Sequence, residues 1–143
     1  MQSINARSRR RQNANGIIAG GANKYTERNE SDIVVVDPFT GEVKKKIHKA
    51  YPNHSAALTT AGGLLFTGLI DGSFAAYDDA SLEQLWEVNV GTGFNAPPMT
   101  FEVGGKQYLA ILTGLGVPAK GALVNTRELR DMRNQTMLFV FGL

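Results

Sequence analysis

The chain contains no cysteine, and this absence excludes several kinds of site at once. Without thiols there is no disulfide framework, no thiolate metal site and no cysteine nucleophile. Two histidines, His48 and His54, are too few for a three-histidine metal centre. No apolar run approaches the roughly 18–20 residues that span a bilayer. We therefore predict no metal ligand and no membrane span in this chain.

Catalytic motifs are also missing. No serine stands in a G-x-S-x-G context, and Gly91-Thr92-Gly93 lacks the strand-to-helix setting of a phosphate-binding loop. Asp71, Asp78 and Asp79 lie in or beside predicted turns, where aspartate is expected for structural reasons. The sequence therefore predicts no catalytic residue.

Positive charge is concentrated near the start of the chain. The overall net charge is +2, but four arginines lie within residues 1–11; without them, 11 basic and 13 acidic residues leave a net charge of −2. A nucleic-acid site requires basic residues spread over one face of a folded unit, so no nucleic-acid partner is predicted. Residues 1–30 are polar and are predicted to be loop or disordered. The run after Arg9-Arg10 is too polar for a secretion signal, so we predict no signal peptide in this chain.

The stretch from residue 59 to 86 indicates successive short strands joined by tight turns. Gly62-Gly63 marks one turn, and Asp71-Gly72 predicts a hairpin of type I′, in which both central residues have positive φ. Ile33 to Val36 is predicted to be a fully buried strand, whereas three consecutive lysines starting at Lys44 predict an outer, edge-like strand. The predicted strands are 33–37, 42–47, 57–61, 64–68, 73–78, 84–90, 97–102, 106–112 and 136–141.

An internal repeat relates these strands. The pattern from Val35 to Gly41 (V-x-D-x-x-T-G) returns 41 residues later from Ala76 to Leu82 (A-x-D-x-x-S-L), and Gly62-Gly63 returns 42 residues later as Gly104-Gly105. A period of about 40–45 residues with four strands per unit is typical of β-propellers.

The repeat divides the chain into about two and a half blades. We predict two strands of a first blade in residues 33–47, a whole blade in 57–90 and three strands of a third in 96–143, with an insertion at about 115–135. Because propellers close with about 4–8 blades, residues 31–143 are expected to be a partial, all-β propeller belonging to a larger protein.

Several segments resemble the eight-bladed dehydrogenases that use pyrroloquinoline quinone (PQQ). Ala76, Asp78 and Trp86 fit their A-x-D-x-x-T-G-x-x-x-W motif, although Ser81 and Leu82 replace Thr-Gly and Lys45 replaces the tryptophan of the first blade. More specific are residues 58–68 (LTTAGGLLFTG), 96–102 (APPMTFE), 105–108 (GKQY) and 138–143 (LFVFGL). The resemblance covers residues 31–114 and 136–143. It is to the C-terminal part of the proteins of this family.

The resemblance implies oxidation of alcohols to aldehydes or ketones in the periplasm. It implies PQQ with Ca²⁺ or a lanthanide as cofactors, a small alcohol as substrate, and a cytochrome c or a quinone as electron acceptor. In the family the metal ligands, the catalytic aspartate, the tryptophan under PQQ and a vicinal disulfide come from earlier blades. This chain alone is therefore expected to be inactive and not to bind the cofactors tightly.

Cofactor-lining positions are expected just before the predicted strand 57–61. The family often has Trp-Gly-Gly there, and this chain has His54 between Asn53 and Ser55. We predict that these three residues approach the quinone edge; the alternative is a loop histidine without a ligand. Trp86 is expected to pack between blades. A second function remains open, namely a non-catalytic propeller scaffold of the kind that assists outer-membrane-protein assembly.

Overall fold

Nine β-strands form three antiparallel sheets in the part of the chain that the structure describes. A computed structural model describes residues 30–116, 126–129 and 132–143. Most of the predicted N-terminal segment 1–30 and much of the predicted insertion 115–135 lie outside these residues. The described part includes one short 3-10 helix, Arg127–Leu129, and has no helix with the length and apolar character needed to cross a membrane.

The sheets correspond to the predicted blades. The strands are β1 (Ser31–Val36), β2 (Val43–Lys49), β3 (Ala57–Thr59), β4 (Leu64–Gly68), β5 (Ser73–Asp78), β6 (Gln84–Asn89), β7 (Met99–Val103), β8 (Lys106–Leu112) and β9 (Leu138–Gly142). The sheet β1-β2 is blade 1, the sheet β3-β4-β5-β6 is blade 2, and the sheet β7-β8-β9 is blade 3. Each predicted strand is confirmed, with both ends within two residues of the prediction.

The sequence repeat is a repeat of turn geometry. The Asp37 carboxylate accepts hydrogen bonds from the Phe39 and Thr40 amides at 2.9 and 3.2 Å. Forty-one residues later, the Asp78 carboxylate accepts from the amides of Ala80 and Ser81 at 3.2 and 2.7 Å. The hydrogen bonds from Ser81, and then that from Ala80, hold the pKa of Asp78 below its ordinary value. Each aspartate therefore shapes the turn between the last two strands of its blade.

The backbone conformation of the two turns also agrees at Leu82. Gly41 has φ of 72°, and Leu82, at the equivalent position, has φ of 59° although it is not a glycine. Its side chain is only 5% exposed and lies in an apolar cluster with Ile33, Leu65 and Tyr77 between blades 1 and 2. Burial of the leucine side chain therefore compensates for an unfavourable backbone conformation.

We expect Leu82→Gly to be at least as stable as Leu82→Ala. Both variants lose the leucine packing, which is worth about 2–5 kcal/mol, but glycine relieves a backbone strain of about 1–2 kcal/mol. The measurement is urea unfolding of the two variants. The same pair at Leu109, which is buried in β8 and is not among the residues with positive φ, serves as control, and there glycine should be the less stable by about 0.5–1 kcal/mol. A glycine penalty of equal size at both positions would refute the role of the strain.

The hairpin at Asp71-Gly72 is present, but its predicted turn type is wrong. Gly72 has φ of 89°, whereas Asp71 is not among the residues with positive φ. Four residues, 69–72, connect β4 to β5, and the Leu69 amide donates to the Ser73 carbonyl at 2.8 Å. The two-residue connection with positive φ at both positions is instead Gly104-Gly105, between β7 and β8, with φ of 59° and 75°.

The middle strands of blade 2, β4 and β5, are buried on both faces, because their side chains alternate between a face covered by blade 3 and a face covered by blade 1. Phe66, Phe74 and Ala76 point toward blade 3, where Leu109 and Ile111 meet them. The intervening residues of the same strands, including Leu65 and Tyr77, point toward blade 1.

The outer blades are covered on one face only. Strand β1 was predicted to be fully buried, and this is wrong, because Ile33 is buried but Val34 and Val36 are exposed. No sheet among the described residues covers that second face. The lysine-rich strand β2 lies at a sheet edge, as predicted.

Trp86 lies between two blades, as expected. Its ring is 6.1 Å from that of Phe74 in blade 2 and 5.4 Å from that of Phe141 in blade 3, and both contacts are edge-on. The residue is nevertheless 41% exposed. It lies beside an apolar cleft of about 370 Å³ between the outer parts of blades 2 and 3, which leaves one side of the indole uncovered.

Candidate functional site

Connections from blades 2 and 3 meet at one end of the sheets, which we call the loop face. The Ile70 amide donates to the Pro52 carbonyl at 3.4 Å, and the Gly114 amide donates to the Gly93 carbonyl at 2.9 Å. The loop face comprises residues 50–56, 69–72, 90–98, 113–116 and 134–137. It includes the predicted cofactor-lining residues and is the candidate functional site.

Asn53 and Ser55 have their polar atoms engaged within the chain. The Asn53 amide donates to Thr67 Oγ1 at 2.6 Å and accepts from the Ser55 amide at 2.9 Å. The Ser55 hydroxyl is fully buried and accepts from the Gly68 amide at 3.3 Å. These two residues therefore hold the loop against β4.

His54 differs from its two neighbours. Its side chain is exposed on the loop face and makes no hydrogen bond to a described residue. Of the three predicted cofactor-lining residues, His54 is the one whose polar atoms remain available to a ligand. All three residues lie in one loop. Asn53 and Ser55 hold the loop in place, whereas His54 is exposed.

Two buried threonines join the connections of the loop face. Thr92 Oγ1 donates to the Gln135 carbonyl at 3.2 Å and accepts from the Gln135 amide at 3.1 Å. Thr113 Oγ1 donates to the same carbonyl at 3.0 Å and accepts from the Met137 amide at 2.9 Å. Sequence reasoning missed these residues, because hydroxyl partners 22 and 43 residues away leave no local pattern.

Asn134 anchors the chain as it returns to β9. Its side-chain oxygen accepts from the Leu115 amide at 2.7 Å, and its side-chain nitrogen donates to the Leu115 carbonyl at 3.2 Å. The amide group therefore pairs with Leu115 as a neighbouring strand would, and holds the two ends of the long β8–β9 connection together.

An apolar cluster lies beneath the loop face. Ile70, Leu115 and Leu129 are buried together, with Tyr51 and Met132 packed against them. Leu129 belongs to the short 3-10 helix of the β8–β9 connection, and Tyr51 precedes the loop that carries His54. The connection therefore packs against the part of the loop face next to the predicted cofactor-lining residues.

The acidic residue Asp71, on the loop face, has a structural role. Asp71 accepts hydrogen bonds from both the amide and the hydroxyl of Ser73 at 3.0 Å. It thereby caps the turn between β4 and β5, in agreement with the turn role predicted for it. Asn89 donates to the Asp71 carbonyl at 3.1 Å and supports the same turn.

The lysines of β2 are paired rather than clustered. Lys44 contacts the Asp37 carboxylate at 2.7 Å, and Lys46 contacts Asp32 at 2.7 Å. Hydrogen bonds from Lys46 and then from His48 hold the pKa of Asp32 below its ordinary value. These ion pairs engage two of the four lysines of β2, so the strand does not present a cluster of unpaired positive charge to an anion.

The described residues contain no metal site. Across residues 30–116, 126–129 and 132–143, no three His, Asp or Glu side chains come together in a way that could hold an ion. The described residues therefore do not fit a Ca²⁺ or lanthanide ion by themselves. The exposed ring of His54 can offer a hydrogen bond to a quinone. The loop face would cover such a ligand on one side and would not enclose it.

A comparison with known protein families identifies the chain's relatives. Residues 18–109 match the PQQ family, described as the glucose/ethanol/alcohol dehydrogenase β-propeller domain. The chain belongs to this family. The predicted family resemblance and the predicted propeller fold are confirmed.

The curated relatives of the chain include bacterial quinoprotein dehydrogenases. The chain is 40% identical to lupanine 17-hydroxylase [cytochrome c] of a Pseudomonas species over 77% of this chain and 16% of the relative. It is 41% identical to the quinoprotein ethanol dehydrogenase of Pseudomonas aeruginosa over 57% of this chain and 13% of the relative. The chain thus spans about one sixth or less of the length of these relatives.

Solved structures show the same fold. A europium-containing methanol dehydrogenase superposes with a TM-score of 0.70 and 28% identity, over 78% of this chain and 23% of that structure. The quinohemoprotein alcohol dehydrogenase of Comamonas testosteroni gives a TM-score of 0.68 and 27% identity, over 79% of this chain and 16% of that structure. In both, the similar region is a minor part of a longer chain.

Proposed function

We propose that this chain forms the C-terminal propeller portion of a PQQ-dependent dehydrogenase that oxidises alcohols to aldehydes or ketones. The observation that carries the proposal is the family match over residues 18–109, on a chain whose strands and turns repeat as propeller blades. The two curated relatives described above are named as a hydroxylase and a dehydrogenase, so they do not favour the scaffold alternative.

In this proposal the loop face forms one wall of the cofactor channel. The engaged side chains of Asn53 and Ser55 hold the loop, and His54 presents its ring toward the quinone. PQQ, when bound, accepts the two electrons and the hydrogen removed from the alcohol. A small alcohol is the proposed substrate, and a cytochrome c or a quinone the electron acceptor. The periplasm is the proposed location, because the relatives are bacterial quinoprotein dehydrogenases.

The metal ligands and the catalytic base belong to the rest of the propeller in this proposal. The described residues contain no group able to hold a metal ion. The proposed metal, Ca²⁺ or a lanthanide, would supply Lewis-acid activation of the quinone. The remaining blades are accordingly the main partner of this chain.

The isolated 143-residue chain is expected to show no alcohol oxidation and no tight PQQ binding. One wall of a channel leaves the cofactor largely exposed to water, and open sheet edges leave that wall less ordered. The measurement is a dye-linked assay with ethanol, PQQ and either Ca²⁺ or a lanthanide, together with a PQQ titration of Trp86 fluorescence. Metal-dependent turnover above background would contradict the assignment of these residues to one wall.

A chimera provides the positive control for the same proposal. The segment of the Pseudomonas aeruginosa ethanol dehydrogenase that aligns with this chain is replaced by the residues of this chain. We expect PQQ-dependent and metal-dependent ethanol oxidation from the chimera, because the other blades then supply the missing groups. A folded chimera that binds PQQ but has no activity would argue against the proposed function and for a non-catalytic propeller.

A further inference from the structure

One face of blade 3 is apolar and is covered by no sheet of the described residues. Along its strands the side chains alternate, so that Leu109 and Phe141 pack against blade 2 while Tyr108 and Val140 belong to the opposite face. Residues paired across neighbouring strands lie on the same side of a sheet. We call this second side the free face; its members are Met99, Phe101 and Val103 of β7, Lys106, Tyr108, Ala110 and Leu112 of β8, and Leu138, Val140 and Gly142 of β9.

The free face has the composition of an interface core. The rings of Phe101 and Tyr108 stack on it with their centroids 5.4 Å apart. Its one charged residue, Lys106, begins β8 and therefore lies at the end of the face. Enrichment in methionine and aromatic residues with little charge is typical of the buried centre of protein interfaces. Six of the fourteen large apolar residues that are exposed in the described part of the chain belong to this face: Met99, Phe101, Val103, Leu112, Leu138 and Val140.

The size of the free face is that of one side of a weak dimer. Covering its six exposed side chains would remove on the order of 500 Å² from water, which is already near the upper end for an apolar patch on an ordinary monomer. Two such faces in contact would bury about 1,000 Å² in total, the lower limit for a specific interface between proteins. A second copy of the chain is therefore a sufficient partner, and the contact is expected to be reversible.

The uncovered face of blade 1 is a poorer partner for the free face, because it carries charge. Val34 is exposed there, but strand pairing places Lys46 opposite it on the same side, and Asp32 and His48 form the next pair on that side. Lys46 and Asp32 form an ion pair, and covering it would cost the hydration of both charges. Two free faces of blade 3 in contact leave no charge at the centre of the interface.

We propose that the free face of blade 3 is the interface of a symmetric dimer, in which it packs against the same face of a second copy. Each copy then supplies the same residues, so the assembly closes at two chains. The two sheets stack about 10 Å apart with interdigitated apolar side chains, as the sheets of a sandwich do. The inference goes beyond the proposed function and does not rest on it, since it concerns the 143-residue chain without a cofactor or further blades.

The test is sedimentation equilibrium of the 143-residue chain over a range of concentrations. We expect a reversible monomer–dimer equilibrium with a dissociation constant on the order of 10–100 µM, as suits an interface of minimal area. Val140→Asp places a charge within the face on both copies and should weaken association at least about 30-fold. Val36→Asp is the matched control on the uncovered face of blade 1, because Val36 is 48% exposed and Val140 is 50% exposed. It should leave the dissociation constant unchanged within about twofold.

A second pair of variants keeps the test valid if the first pair misfolds. Far-UV circular dichroism shows whether Val140→Asp retains its strands; if it does not, Met99→Lys on the free face and Val43→Lys on blade 1 take the place of the first pair. A chain that stays monomeric up to several hundred micromolar, well above the expected constant, overturns the inference. Equal weakening by the two members of a pair overturns the assignment to blade 3. Association beyond the dimer overturns the closed, symmetric contact.

Discussion

Phe74→Ala is expected to lower the free energy of unfolding by about 3–5 kcal/mol, the usual range for a buried phenylalanine. Phe74 is fully buried at the centre of the contact between blades 2 and 3. Its ring lies 5.5 to 6.3 Å from four other aromatic rings, namely those of Phe66, Trp86, Phe94 and Phe141. Removing it leaves a cavity that these rings can fill only by giving up their contacts with one another.

Urea unfolding measured by far-UV circular dichroism tests this prediction. Phe39→Ala is the matched control, because Phe39 lies in the turn between β1 and β2 and is 96% exposed. It removes the same side chain and should change stability by less than about 0.5 kcal/mol. Similar losses in both variants would show that the two blades do not pack around Phe74.

Gly93→Ala is expected to destabilise the chain by about 3 kcal/mol or more, at or above the upper end for added volume in a packed site. A Cβ on residue 93 would lie 2.4 Å from the Ile70 carbonyl oxygen and 2.7 Å from Leu115 Cδ2. The carbonyl cannot move away freely, because Ile70 is fully buried and its amide is hydrogen-bonded to Pro52. The substitution therefore pushes apart two connections of the loop face.

Gly62→Ala is the control for this effect. A Cβ on Gly62 would have Thr60 Oγ1 at 3.8 Å as its nearest described neighbour, and Gly62 is not among the glycines with positive φ. Alanine there should leave stability unchanged within about 0.5 kcal/mol or raise it slightly. Amide hydrogen exchange adds a local measurement, since Gly93→Ala should speed exchange at Gly114, whose amide donates to the Gly93 carbonyl. Wild-type stability in Gly93→Ala would contradict the close approach at the loop face.

Much of the fold was predictable because its signals are local. Asp37 and Asp78 accept hydrogen bonds from amides two and three residues ahead, so each turn can be read from a few consecutive letters. An apolar, β-favouring run predicted β4, and small or polar residues alternating with Phe74 and Tyr77 predicted β5. The error in turn type at Asp71-Gly72 is also local, since the connection includes Leu69 and Ile70 and is longer than the dipeptide suggests.

The sequence named three candidate site residues but could not show which of their polar groups are engaged. Sequence resemblance pointed to Asn53, His54 and Ser55, and the structure places them together on the loop face. Which of them is available to a ligand depends on Thr67 and Gly68, more than ten residues away. Whether they contact PQQ remains a prediction for the experiments above.

The sequence by itself determined the strands, the repeated turns and the family, because each rests on short-range backbone chemistry or on residues in a specific order. The tertiary structure alone decided which polar groups are engaged and which surfaces are covered. Asn53 and His54 are neighbours in the sequence, yet Asn53 is hydrogen-bonded to Thr67 and His54 is exposed. The exposure of Trp86 and Val34 likewise depends on which sheet lies against them. The physical reason is that hydrogen-bond satisfaction and burial depend on groups brought close by folding from distant parts of the chain, and no local pattern encodes those distances.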